Sequence, residues 1–218
     1  MVTIKKALGL SCLVLILLMG SSCANTGSTD QLEAVEVIGE ITLVIGEPLV
    51  LRGGKMIILQ RRYELQVGDA ILTGTMGKVR IKMTDDTVIH LGNNSQFVFH
   101  AYSYGEPNPI ARMSFVEGSF RVTSKKFMKR TGAIFEIVTP IAVIGIRSTD
   151  FWGGYIFGED QLDVALLGGQ GIYVRNNFGE VNIEDVGVGT TVSFMGPPMA
   201  PEAWETEKVA EAVAATQL

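Results

Sequence analysis

The stretch KVRIKMTDDTVIHLGNNSQFVFHA occupies residues 78–101 and decides the fold class. Val79, Ile81 and Met83 alternate with Lys78, Arg80 and Lys82. Successive side chains of a strand point to opposite faces, so the first set belongs to a core and the second to water. Phe97 and Phe99 repeat the pattern. Thr84-Asp85-Asp86-Thr87 supplies one turn, and Asn93-Asn94 a second, because Asn and Asp tolerate turn geometry. The stretch predicts three strands joined by tight turns. A two-residue turn at Asn93-Asn94 makes the last two a hairpin, with His90 across from Phe97 and His100 on the opposite face.

The same texture extends in both directions. From residue 35 onward the chain is a series of short β-branched runs broken by Gly, Asn, Asp and Pro. Among them are ITLVI, PLVLR, ARMSFVE, SFRVTS, AIFEIVT, AVIGIR, LDVALL, GIYVRN, EVNIE and TVSFM. Strands at intervals of ~8–12 residues indicate an all-β sandwich or a short solenoid. The expected β-domain covers residues 35–196. Residues 197–218 read as a Pro-rich turn (Pro197, Pro198, Pro201) followed by one C-terminal helix, EAWETEKVAEAVAA. Trp204, Val209 and Val213 can form its apolar stripe.

The N-terminus has a different composition. Lys5 and Lys6 precede an apolar run over residues 7–19, and Gly20, Ser21, Ser22, Cys23 and Ala24 follow. A positive start, a short apolar stretch and a small-residue exit describe a signal peptide over residues 1–22. A bilayer span takes ~20 apolar residues, which is more than this run supplies. Residues 23–34 are small and polar and read as a tether. The chain has two cysteines, Cys12 within the signal and Cys23 at its end. Cys23 resembles the acylated cysteine of bacterial lipoproteins and is the expected lipid attachment. Gly20 stands where those sequences usually carry Leu or Val, and cleavage after Ala24 is the alternative. Ala24 after the cysteine points to the outer membrane in a Gram-negative cell. Without its first 22 residues the chain keeps 18 − 2 = 16 basic and 23 acidic residues, a net charge of −7. That balance speaks against nucleic-acid binding. The folded part contains no thiol for a disulfide or a thiolate metal site.

Thr139-Pro140-Ile141-Ala142-Val143-Ile144-Gly145-Ile146-Arg147-Ser148-Thr149-Asp150-Phe151 resembles the signature T-P-x-A-x-x-G-x-R-G-T-D-F of FecR-like domains. GDAILTG at residues 68–74 is similar to a second block of that family, and the stretch quoted first to its strand–turn–strand. Gly118 with Phe120-Arg121-Val122, and then LGGQGIYV at residues 167–174, follow in the family's order. Ser148 replaces a glycine of the pattern, and Asp86 replaces a turn glycine. The resemblance covers about residues 35–180. It implies the β-fold, a periplasmic location and a non-enzymatic interaction role. The best-known relatives join a cytoplasmic anti-sigma segment to a periplasmic sensor of receptor occupancy. With a signal starting at Met1, the sigma-factor role is not expected here.

No HExxH, CxxC or GxSxG motif is present, so no enzyme, metal or cofactor is expected. Gly168-Gly169-x-Gly171 precedes a strand and reads as a turn, since a phosphate cradle needs helix amides. Thr139, Pro140, Gly145, Arg147, Thr149 and Asp150 form the signature. They are expected to be structural, with Arg147 and Asp150 in a network pinning a strand corner; a ligand contact is the alternative. Two basic groups stand out. One is Lys78, Arg80 and Lys82. The other is Lys125, Lys126, Lys129 and Arg130, the candidate partner-binding residues, suited to anionic glycans or lipid headgroups. Tyr102, Tyr104, Pro107 and Pro109 suggest an exposed aromatic loop. The expected function is a lipid-anchored envelope module contacting another envelope protein or an anionic glycan. The alternative is a periplasmic sensor acting through a separate membrane partner.

Overall fold

A computed structural model describes residues 36–147, 149–158 and 160–218. Cys23, the signal, the tether and Ser148 lie outside the described residues. The chain passes back and forth between two sheets. β1 (Val37–Ile45) opens the first sheet, and the hairpin β2 (Leu49–Arg52) and β3 (Lys55–Ile58) opens the second. β4 (Glu64–Gln66) returns to the first and β5 (Ala70–Leu72) to the second. β6 (Lys78–Met83) and β7 (Val88–Leu91) join the first; β8 (Gln96–Ser103) and β9 (Ile110–Glu117) join the second. β10 (Ser119–Thr123) is in the first, β11 (Ile134–Val138) and β12 (Val143–Ile146) in the second. β13 (Thr149–Gly154) and β14 (Gln161–Gly169) alternate in the same way with β15 (Ile172–Asn176) and β16 (Gly179–Ile183). β17 (Val188–Ser193) and β18 (Glu202–Ala203) close the first sheet, and α1 (Thr206–Thr216) follows.

Each sheet has nine strands, in the orders β4-β1-β6-β7-β10-β13-β14-β17-β18 and β3-β2-β5-β8-β9-β11-β12-β15-β16. Apart from the edge strands β4 and β3, which lie outside β1 and β2, both grow in step with the sequence toward the other edge. The result is a sandwich wound in the manner of a solenoid. Its neighbours are antiparallel except β9 and β11, which run parallel.

The core lies between the sheets. Val79, Ile81 and Met83 are buried as the alternation predicts. Phe97, Phe115, Phe120 and Phe151 meet them from both layers, with the Phe115 and Phe120 ring centroids 4.5 Å apart. Burying such a side chain contributes about 1.5–3 kcal/mol, which is what holds two sheets without a disulfide.

The expected Asn93-Asn94 hairpin does not form. β7 pairs with β6 and β10, whereas β8 pairs with β5 and β9. Asn94 adopts φ 51°, and the turn carries the chain from one sheet to the other. The physical reason is burial. In a hairpin with His90 across from Phe97, Phe97 and Phe99 share one face and Ile89 and Leu91 point to the other. One pair would then face away from the core, whereas crossing over buries all four between the layers. Buried hydroxyls satisfy the backbone at the crossing. Thr73 Oγ1 donates to the Gly92 carbonyl (2.7 Å), and the Ser95 amide donates to Thr73 Oγ1 (2.8 Å). Ser95 Oγ donates to the Ser119 carbonyl at 2.9 Å. His90 consequently lies between Arg80 and Arg121, not across from Phe97. His100 is exposed and hydrogen-bonded to Ser114 at 2.7 Å.

The Asp85-Asp86 turn splits its two carboxylates. Asp86 takes φ 68° and faces solvent. Asp85 is buried, accepting from Thr87 Oγ1 (2.5 Å) and from the Tyr102 hydroxyl (2.7 Å). Tyr102 is thus a core residue rather than part of an exposed loop, and burial pushes its phenol far above the ordinary value.

The terminal helix docks on the first sheet, the Ala215 carbonyl closing over Gly92. It buries little apolar surface of its own: Ala212 and Thr216 are covered, while Val209 and Val213 are half-buried. Cations hold both ends instead. Lys78 Nζ donates to the carbonyls of Ala214 (3.0 Å) and Gln217 (2.9 Å), where the helix dipole is negative. Lys208 Nζ donates to the buried Asp163 at 2.8 Å and lies 4.2 Å from the Trp204 ring centroid. Trp204 itself precedes the helix and packs edge-on against Trp152 at 6.0 Å. β18 takes Glu202 and Ala203, the first two residues of the run read as helix, and the helix starts only at Thr206.

Candidate functional site

Strand register assigns the loops to two rims. Ser119 pairs with Gly154, and Thr123 with Asp150, so the β9–β10 turn and the β13–β14 connection share one rim. Gln161 pairs with Ser193, which adds the end of β17. The parallel pairing of β11 with β9 adds the β11–β12 turn.

At this rim a cleft of about 770 Å³ opens between the layers. Pro140 and Ile141 form part of its wall, and Tyr155, Ile156 and Phe157 face them. Its apolar groups are accessible: Phe194 is 64% exposed, Val116 40% and Ile156 38%. Among the described residues its charged lining is Glu117 and Asp160, both acidic.

The signature residues do not converge on this cleft: Pro140 lines it, whereas Thr149 and Asp150 line the shallow cleft at the opposite rim. Thr139 Oγ1 accepts from the Ala142 amide (2.9 Å) and donates to the Ala142 carbonyl (2.9 Å), which closes the turn that displays Pro140 and Ile141. Gly145 stands between Glu136 on one neighbouring strand and Tyr173 on the other. The Tyr173 ring lies across it to reach Glu136, the hydroxyl donating at 3.1 Å. A Cβ at Gly145 would come within 2.0 Å of that ring. Glu136 also accepts from Arg112 (3.2 Å) and Arg175 (3.0 Å). Burial pushes its carboxyl up, but these donors outweigh it and hold the carboxyl below its ordinary range.

Arg147 and Asp150 do not meet. Arg147 reaches Asn182 (3.2 Å) and Glu184 (3.4 Å) at the surface. Asp150 receives both arms of Arg121, at 2.8 and 2.7 Å. Thr149 Oγ1 donates to the Gly168 carbonyl at 2.7 Å. His90, next to Arg121, is pushed down to about 4 by burial and then by the guanidinium groups of Arg121 and Arg80.

The opposite rim carries the second basic group. Phe127, in a 3-10 turn at Phe127–Lys129, is fully buried against Tyr102, Tyr104 and Phe135, with ring centroids 5.9, 5.8 and 5.5 Å away. Around this plug Lys125, Lys126, Lys129 and Arg130 are exposed. Lys126 pairs with Asp86, which its hydrogen bond and that of Lys82 pull down to about 2. Arg130 lies 5.4 Å from the Tyr104 ring centroid. Lys125 and Lys129 make no ion pair among the described residues and border a shallow cleft of about 430 Å³. The first basic group is used internally instead. Lys78 caps the helix, Arg80 Nε donates to Thr42 (3.1 Å), and Lys82 pairs with Asp86 (3.0 Å).

Phe194 and Ile156 carried no signal in the sequence, because strand-end residues become neighbours only through the register of four loops.

No curated protein matches the chain. Two crystal structures of a candidate anti-sigma factor from Parabacteroides distasonis ATCC 8503 are similar in fold, each with 15% identity and a TM-score of 0.51. Each likeness covers 65% of this chain and 62% of the other, so the chain spans less than two thirds of that protein's length. Residues 69–170, from β5 to the end of β14, match the family described as FecR protein. The signature turn and the Gly145 crossing fall inside that match, so residues 69–170 of this chain are similar to a FecR domain.

Proposed function

We propose that the protein is a non-enzymatic interaction module of the bacterial envelope, exported and tethered through Cys23, whose cleft takes an apolar segment of a second envelope protein. The observation that carries this reading is the cleft of about 770 Å³ walled by the signature turn, with Phe194, Val116 and Ile156 left accessible. Exposed apolar surface of this kind marks an interaction site. Glu117 and Asp160 at the mouth favour a partner with Lys or Arg beside its apolar residues. The same carboxylates repel an anionic glycan from this rim. The FecR match over residues 69–170, together with the name of the similar solved structures, favours a signalling use in which a separate membrane partner occupies the cleft.

The test is photo-crosslinking from position 156 in intact envelopes, followed by sequencing of the attached peptide. A peptide of apolar residues flanked by a base is expected. Its synthetic copy should bind at least tenfold more weakly to Phe194→Asp and to Glu117→Lys. An acidic peptide, or binding indifferent to both substitutions, refutes the reading.

A further inference from the structure

The two rims differ in charge, and the chain enters the fold at only one of them. The Thr84 amide donates to the Ile38 carbonyl at 3.0 Å, so the start of β1 lies beside the β6–β7 turn. That turn carries Asp86, the partner of Lys126. The segment ahead of Val37 therefore leaves from the rim that displays Lys125, Lys126, Lys129 and Arg130. Residues 124–133 hold these four bases and no acid in a chain whose net charge is negative. Phe127 anchors the turn in the core, so the charges are displayed on a fixed platform.

We propose that this basic rim is a docking face for an anionic phospholipid surface, which turns the apolar cleft at the other rim away from the membrane. The orientation rests on the tether reading above; the charge chemistry does not. Because β1 begins at this rim, a tether ahead of it directs the rim rather than the cleft toward the headgroups, whose field is screened over ~8 Å at physiological salt. Each base near an anionic surface strengthens adsorption about fivefold. With Lys126 shared with Asp86, three groups remain effective, giving about a hundredfold in total. Such adsorption is weak for a free protein and sufficient for a tethered one, because the tether raises the effective concentration. Glu117 and Asp160 at the far rim are repelled by the same surface, so charge favours one orientation.

The experiment uses the full chain isolated from envelopes and placed on vesicles of phosphatidylcholine, with or without phosphatidylglycerol. Lysine acylation read by mass spectrometry compares Lys125 and Lys129 with Lys208, whose partner Asp163 lies near the cleft rim. Phosphatidylglycerol should protect Lys125 and Lys129 about fivefold or more and leave Lys208 unchanged, and high salt should reverse the effect. Lys125→Glu with Lys129→Glu should abolish the adsorption of a Cys23→Ala chain to anionic vesicles. Equal reactivity on both vesicles overturns the proposal. Protection by dextran sulfate but not by anionic vesicles also overturns it and assigns the face to a polyanionic glycan. Retention on neutral vesicles reads the tether separately. A chain that washes off them refutes the tether, while phosphatidylglycerol-dependent protection still upholds the docking face.

Discussion

Replacing Gly145 by Ala tests the reason for the signature glycine. Gly145 has ordinary extended backbone, so the cost is steric and not torsional. The added Cβ would lie 2.0–2.3 Å from three atoms of Tyr173, its hydroxyl among them. The ring must swing off the strand. Uncovering roughly a third of an aromatic surface of about 150–250 Å² costs about 1.5 kcal/mol at ~25 cal/mol per Å². Losing the hydrogen bond from Tyr173 to Glu136 adds about 1 kcal/mol. Replacing glycine restricts the unfolded chain and returns about 0.5 kcal/mol. The net destabilisation is about 2 kcal/mol, or a fall of about 4–8 °C in Tm for a domain of this size. The assay is urea unfolding of Gly145→Ala, Tyr173→Ala and the double variant. With the ring already gone, the alanine has nothing to strike, so the double variant should match Tyr173→Ala alone, a coupling of about 2 kcal/mol. Additive single costs would refute the explanation.

Lys208→Met removes the cation from Asp163, which is fully buried. The loss should be about 3–5 kcal/mol by denaturant titration, because the carboxylate is left unpaired. Trp152 and Trp204, the chain's two tryptophans, should report it by red-shifted emission. Phe127→Ala should cost about 3–5 kcal/mol by the same titration and loosen the basic turn to proteolysis. For His90 the folded pKa lies below the unfolded one. The unfolded chain then binds the extra proton, so the contribution is complete above about pH 6.5 and is lost as pH falls toward 4. Tm should fall between pH 6.5 and 4.5 in the wild type and fall less in His90→Gln. Parallel profiles would place the effect on the carboxylates. Asp86 and Glu136 act in a lower window, because their folded values lie below the ordinary carboxylate range.

The membership of nearly every strand was legible in residues 78–101 and their neighbours, since alternation is a local property and burial enforces it. β3, β4 and β5 were less legible. They are three or four residues long, and the exposure of β3 on both faces at a sheet edge leaves no alternation to read. Tyr102 was placed wrongly because its partner, Asp85, lies in the β6–β7 turn of the other sheet, 17 residues away in sequence.

What the sequence determined by itself is the all-β class, the position of the terminal helix and the FecR signature, because each is written in short-range pattern. Which strands pair was decided only in three dimensions. The Asn93-Asn94 turn is compatible with a hairpin and with a crossover, and only the burial of Phe97 and Phe99 against the other layer selects the crossover. The same choice of register brings Pro140, Ile156 and Phe194 to one rim and the Lys125 group to the other, so the candidate site exists only in the packed sandwich.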